Sequence, residues 1–473
     1  MRLRIVAASL GSVALAACSS GRGLAPEGGA AGGGGAGGGA PGQTVITIRP
    51  TINRNVDVLF MLDNSSNMTI NQQMLARAFS SYTGLLEALP GGLPNLHLGI
   101  VSSSLGAGRE TTIDHCAPGG DQGILQARPA DMTPGGPCTR AGLNPGQSFI
   151  ANVDGQTNYT GDLADVFSCL ALLGDGGCGF EHQLASVMRA LGADGAAAPA
   201  QNAGFLRPDA YLQIVLLTDE DDCSAPPDSD LFDESSMTIA SPLGPLQSYR
   251  CNEFGHLCNG KAPPRQPPGE VDLGTCVSNE SGRLLPVGGI VTALKNLKAD
   301  PSKVLVAAIA GPPTPYKVNV GPSQVRGDSS LWPYVEFSCT NMTANDVSTF
   351  GDPGVRIKQW VDAFGDNGVF ESVCADSYAP ALTHIAEQVG KAMGPPCLPA
   401  EVDATRCTFT DRVVDAQGQV TSTRLQQCAD TADAGPCWRV ATDASSCPTG
   451  QVLTTNRPGS VDASLTTVVT CPP

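Results

Sequence analysis

The sequence predicts an α/β protein: a doubly wound, Rossmann-like sheet with long disulfide-stapled insertions, followed by a small cysteine-rich β module at the C-terminus. Three observations predict it. Apolar runs of strand length, such as Val56-Asp57-Val58-Leu59-Phe60-Met61-Leu62, stop abruptly at polar residues, as buried strands of a parallel sheet do. These runs alternate with amphipathic helical segments, the pattern of crossover connections. The last part of the chain changes to short β-branched stretches divided by six cysteines.

The chain opens with Arg2 and Arg4 and then an apolar core over residues 5–14, too short to anchor across a bilayer. Leu15-Ala16-Ala17-Cys18 matches a bacterial lipobox, so residues 1–17 read as a signal peptide and Cys18 as the lipidated first residue. The competing reading is an ordinary secretory signal with an incidental cysteine, or a poor transmembrane segment. Ser19, where an aspartate would mark inner-membrane retention, favours an outer-membrane lipoprotein, at the cell surface or on the periplasmic face. Residues 18–42 are almost entirely Gly, Ala, Ser and Pro, a tether that cannot bury a core. At ~5–6 Å × √n it reaches only a few nanometres. Its G-x-G-x-x-G matches follow from composition, since no strand precedes them.

Residues 50–395 carry the alternation. A strand over 56–62 leads to a helix over 71–89, whose apolar anchors include Met74, Leu75, Ala78, Phe79, Leu85 and Leu86. The next strand spans 96–103, and an insertion rich in Gly, Pro and polar residues runs from 106 to about 162. A helix over 180–191 and a strand over 212–218 follow, then a second insertion over 223–283. A helix over 287–297, a strand over 304–310 and a third insertion to about 353 come next. A helix over 356–364, a short strand over 368–373 and a helix over 378–393 complete the domain. Each insertion follows a strand, at the end where open α/β sheets place their ligands, so the insertions are either a partner surface or ordered decoration. Residues 396–473 form the β module, with strand-like segments at 412–414 and 464–470; Trp438 reads as core packing.

The first strand ends in Asp63-Asn64-Ser65-Ser66-Asn67, where Asp63, Ser65 and Asn67 alternate so that their oxygens can converge on a hard cation. The alternative is a polar turn capping the helix that begins near Asn71. A second strand, Leu212 to Thr218, ends in Asp219-Glu220-Asp221-Asp222 and so delivers another aspartate at its carboxyl end. Motif and strand order together resemble a von Willebrand factor type A (VWA) domain with its metal-ion-dependent adhesion site, over roughly residues 56–393. The family pattern is D-x-S-x-S, a threonine from a second loop, and an aspartate after a later strand. Here Asn67 stands in place of the second serine, and counting back from the helix at 180 puts Asp175 of Gly174-Asp175-Gly176 in place of the threonine. Thr157 and Thr160 lie in the preceding loop. The resemblance implies that Asp63, Ser65, Asn67, Asp175 and Asp219 hold Mg²⁺, with Ca²⁺ or Mn²⁺ as alternatives, directly or through water. It further implies a protein or extracellular-matrix ligand whose acidic side chain completes the cation's shell. An aspartate at 175 would strengthen the metal but remove the charge vacancy that favours such a ligand.

Net charge is −17 over 473 residues, which argues against nucleic acid and against docking on anionic lipid, leaving the lipid anchor as the membrane contact. Of 17 cysteines, removal of Cys18 leaves an even number, read as up to eight disulfides in an exported protein. No C-x-x-C pair, as structural zinc sites use, occurs. Cys178 and His182 have the spacing of a dyad, but Cys169 stands near enough to pair with Cys178. His97, His182 and His384 fall in predicted regular elements, and no hydrolase motif is present, so the chain reads as a binding protein rather than an enzyme. Two competing readings are a metal-free scaffold of an envelope assembly and a metal-dependent hydrolase using the 219–222 acids.

Overall fold

A computed structural model describes residues 44–48, 53–89, 92–128, 137–323, 329–342, 348–394, 397–398, 400–414, 419–429, 436–442, 447, 449–457 and 465–472. The signal peptide, Cys18 and the tether lie outside these residues. Among the described residues no helix is long and apolar enough to cross a membrane.

The chain divides into two compact units, one over residues 51–396 and one formed by residues 397–473 with the N-terminal residues up to 50. The larger unit is a mixed α/β structure around a seven-stranded sheet. Its strands are β1 (Asn55–Leu62), β2 (Asn95–Ser102), β3 (Ile150–Val153), β4 (Gln156–Thr157), β5 (Tyr211–Leu217), β6 (Val304–Ala310) and β7 (Gly368–Ser372). They lie in the order β7-β6-β5-β1-β2-β3-β4. From β7 to β2 all pairings are parallel, while β3 and β4 extend the β2 edge in antiparallel register.

Apolar runs form these strands because both faces of the sheet are covered. Val56, Val58, Phe60 and Leu62 pack on one side with helices α1 (Thr69–Glu87), α2 (Leu163–Leu170) and α7 (Ala379–Ala392). Leu59 and Met61 pack on the other with α3 (Gln183–Leu191), α5 (Val287–Lys295) and α6 (Val355–Asp362). The alternation of side chains along one strand thus feeds two cores. Each core is dense. On the first face, Phe79 stacks on Phe167 with ring centroids 3.5 Å apart.

The predicted elements form with shifts of a few residues, and the differences concern the insertions. The segment over 106–162 is not a plain loop, since it supplies β3 and β4, and the helix α2 that follows it was not anticipated from the sequence. The helix predicted from 180 begins at Gln183, because Phe180 to His182 run in extended contact with neighbouring loops: His182 N donates to Ser103 O and Cys223 N donates to Glu181 O. The second insertion holds helix α4 (Tyr249–Gly255) and the paired strands His256–Cys258 and Cys276–Ser278. The third carries a hairpin of Cys339–Met342 with Ser348–Gly351.

Eight disulfides join all sixteen remaining cysteines. Cys178 pairs with Cys116 rather than Cys169, and Cys169 pairs with Cys138. The first bond staples the first insertion to the approach of α3, and the second ties it into α2, where Cys169 lies. Within the second insertion Cys223 joins Cys251 and Cys258 joins Cys276.

The smaller unit is a six-stranded sheet. Thr44–Ile48 lies antiparallel on Thr466–Cys471, so a segment ahead of the α/β unit in sequence belongs to the C-terminal module. Three disulfides close it, and Trp438 is buried with its ring stacked on Phe409 at 3.8 Å, as core packing requires.

Candidate functional site

The strand order reverses between β1 and β5, and in open α/β sheets a crevice forms outside the carboxyl ends at such a point. Asp63 follows β1 and Thr218-Asp219 follows β5, so the two segments meet there. Asp63 N donates to Leu217 O at 2.9 Å, which fixes the two strand ends side by side.

Asp63 is fully buried. Its Oδ1 accepts from Ser65 N at 2.8 Å and from Ser103 Oγ at 3.2 Å, and its Oδ2 accepts from Thr218 Oγ1 at 2.5 Å. Burial pushes its carboxyl upward against these hydrogen bonds, which favour the charged form. Asp219 is 3% exposed, and its carboxyl is held well above the usual carboxylate range, first by burial and then by the charges of Asp63, Glu220 and Asp352. Asp63 and Asp219 are thus buried acids whose charges act on each other, and neither forms an ion pair with Lys, Arg or His among the described residues. Ser65 Oγ, also buried, makes no well-aligned hydrogen bond among the described residues, though it lies close enough to Asp63 to favour that carboxyl's charged form.

The reading of this segment as a helix cap does not hold. Met68 occupies the N-cap of α1, and no side chain caps that end. Asn67 is exposed and takes a left-handed φ of 78°, a conformation asparagine tolerates, so it shapes the turn. The 174–177 loop packs on the turn. Gln72 donates to both Asp63 O and Gly174 O, and Gly177 N donates to Asn64 O at 2.6 Å. That contact puts Asp175 on the rim, exposed to solvent. The structure thus brings together Asp63, Ser65 and Asp219, while Asn67 and Asp175 stand outward. Among the described residues no three His, Cys, Asp or Glu side chains are grouped to hold a metal ion, so the arrangement is a pair of carboxylates with hydroxyls. An all-oxygen set with a hydroxyl that lacks a well-aligned hydrogen bond fits a hard cation such as Mg²⁺.

Sequence reasoning missed four neighbours. Ser103 follows β2 as Asp63 follows β1, and the run Ser102-Ser103-Ser104 at the end of an apolar strand was the available signal. Thr218 had the same signal. Glu181 and Asp352 had none, because they arrive from an insertion boundary and a loop remote in sequence. Glu181 is 1% exposed and raised well above the usual range by burial and by Glu220, while Glu220 itself is pushed up to about 7, burial being the main cause.

The histidines have structural partners. His182 is buried, with Nε2 2.9 Å from Gly106 O and Nδ1 accepting from Ala225 N. His97 Nδ1 lies 2.9 Å from Phe205 O, and His384 Nδ1 lies 2.7 Å from Glu371 Oε1.

No protein-family model and no curated protein matches the chain. Among solved structures, the pilus adhesin SpaC from Lactobacillus rhamnosus GG, in an open conformation, aligns over 91% of this chain and 41% of its own, at 11% identity and a TM-score of 0.31. Human COPII-coat protein Sec24c aligns over 91% and 42%, at 10% identity and a TM-score of 0.26. Three N-terminal domains of the type V pili tip protein Mfa5 from Porphyromonas gingivalis align over 90% and 62%, at 10% identity and 0.26. The chain spans less than two thirds of each of these proteins, and likeness at such scores carries no conclusion about fold or function.

Proposed function

We propose that this chain is a cell-envelope lipoprotein that binds a protein or matrix ligand through a VWA-type, metal-dependent adhesion site. The observation that carries the reading is the buried Ser65 Oγ, without a well-aligned hydrogen bond among the described residues, beside the buried acids Asp63 and Asp219 at the reversal of strand order. A hard cation there would be held by Asp63, Ser65 and Asp219, and would offer an open position to a carboxylate of the partner. The chain's own residues set the rest. Ser103 and Thr218 donate to Asp63 and hold its carboxylate in place. Gln72 fastens the 174–177 loop to the turn. Met342 on the Cys339–Met342 strand and Phe337 just before it are exposed, apolar surface available to a partner.

Calorimetric titration of Mg²⁺ into the purified full-length protein tests this. Binding that is lost in Asp63→Ala and weakened in Ser65→Ala, with circular dichroism unchanged, is the expected result; equal binding in all three, or none in the parent, overturns it. A second reading, a metal-free scaffold, is favoured by the outward positions of Asn67 and Asp175. It expects no heat of binding and no effect of Asp63→Ala on partner capture.

A further inference from the structure

We infer that a second cation position, of calcium type and adjacent to the one at Asp63 and Ser65, lies in a small cavity between the β5 end, α4 and the third insertion, with Glu181 and Glu220 as its carboxylate ligands. The cavity is lined by Glu181, Glu220, Asn252 and Asp352, among others, and measures about 10 Å³, roughly the room needed for one water-sized sphere.

The charges around it are unequally satisfied. Asp221 and Asp222 also line the cavity, but both are held by hydrogen-bond partners. His256 Nε2 lies 2.8 Å from Asp221 Oδ2, and Arg356 N and Ile357 N donate to the same carboxylate. Arg356 donates through Nε and Nη2 to Asp222 at 3.1 and 3.0 Å. Glu181, Glu220 and Asp352 form no ion pair with a Lys, Arg or His among the described residues. Glu181 is 1% exposed; its carboxyl meets that of Glu220, and its Oε1 has no hydrogen-bond partner among the described residues. A buried carboxylate oxygen without a donor, at a cavity of ionic size, calls for a cation.

Size and ligand type select the ion. Mg²⁺ sheds its water reluctantly and keeps several waters, for which this cavity has no room. Ca²⁺ takes protein oxygens in flexible geometry, and two carboxylates with neutral oxygens such as Asn252 Oδ1 suit it. This set stays within the limit that no three acidic or histidine side chains group around one ion among the described residues. The ion would join Glu181, ahead of α3, to Glu220 after β5, tying the second insertion to the sheet.

Calcium titration of the full-length protein, by calorimetry and by thermal melting, tests the inference in the parent, Glu181→Gln, Glu220→Gln and Asp63→Ala. Ca²⁺ binding that raises the melting temperature, persists in Asp63→Ala and weakens at least tenfold in both glutamine variants is expected. Because Asp63→Ala keeps this site, failure of the Mg²⁺ reading at Asp63 leaves the result unaffected. The inference is overturned by absence of Ca²⁺ binding at millimolar concentration or by binding unchanged in both glutamine variants. It is also overturned by Ca²⁺ binding lost in Asp63→Ala, or by a melting temperature that rises in Glu181→Gln without any response to Ca²⁺, which marks a shared proton between the glutamates. Should Glu181→Gln not fold, Glu220→Gln decides alone, since Glu220 is only partly buried.

Discussion

Asp57 shows how far a single residue can depart from its sequence appearance. It sits inside an apolar run yet is fully buried, with Arg207 Nε donating to Oδ1 and Arg207 N to Oδ2, both at 2.7 Å, and Lys298 Nζ 3.6 Å away. Removing one member of a buried charge group leaves the others uncompensated, so Asp57→Ala should cost ~3–5 kcal/mol in denaturant unfolding. His182 gives a pH signature. Burial holds its imidazole below the ordinary 6.5, and Nδ1 is occupied as an acceptor. Below pH 6.5 the unfolded chain takes up the proton first, so this residue's contribution is present above 6.5 and is lost as pH falls through that value. The difference in unfolding midpoint between the parent and His182→Gln should therefore shrink from pH 7.5 to pH 5.5; a constant difference would refute it. Of the acids read from the sequence, Asp63 and Asp219 were legible because each ends an apolar strand. Asp175 was placed by counting along a loop, and counting cannot tell which way a loop side chain points.

Elements were read best where periodicity was strong. Strand β6, a continuous apolar run, falls at residues 304–310 as expected, since burial on both faces leaves no polar interruption to blur its ends. Helix α2 was missed because eight residues between two glycine-rich stretches give too short a pattern, although it buries Phe167 against Phe60. The 174–177 loop depends on one close approach. A Cβ on Gly177 would come within 2.3 Å of Asn64 Oδ1 and 2.6 Å of Asn64 O, so the loop can pack on the site turn only with glycine there. Gly177→Ala should destabilise by ~1–3 kcal/mol and weaken Mg²⁺ binding, whereas Gly179→Ala, with open space around it, should do neither. Titration calorimetry and urea unfolding of both variants read the contrast.

At the scale of the molecule, the two units are stabilised differently. The α/β unit has two extensive apolar cores, whereas the C-terminal module rests on a small core around Phe409, Trp438 and Val469 with three disulfides. Small cores need staples, and each disulfide lost costs about 2–5 kcal/mol. Scanning calorimetry under a thiol reductant should shift a transition of the module to lower temperature more than that of the α/β unit; equal shifts would show that the staples matter alike in both. The sequence by itself determined the alternating strands and helices, the aspartates at two strand ends, the even set of cysteines and the acidic surface. These follow from local periodicity and composition, which neighbours along the chain are enough to specify. Tertiary structure alone decided the disulfide partners, the union of residues 44–48 with the C-terminal module, and the gathering of Glu181, Glu220 and Asp352. Those contacts join residues tens to hundreds of positions apart, and a chain acquires them only when loops of unrelated sequence close over the same end of a sheet.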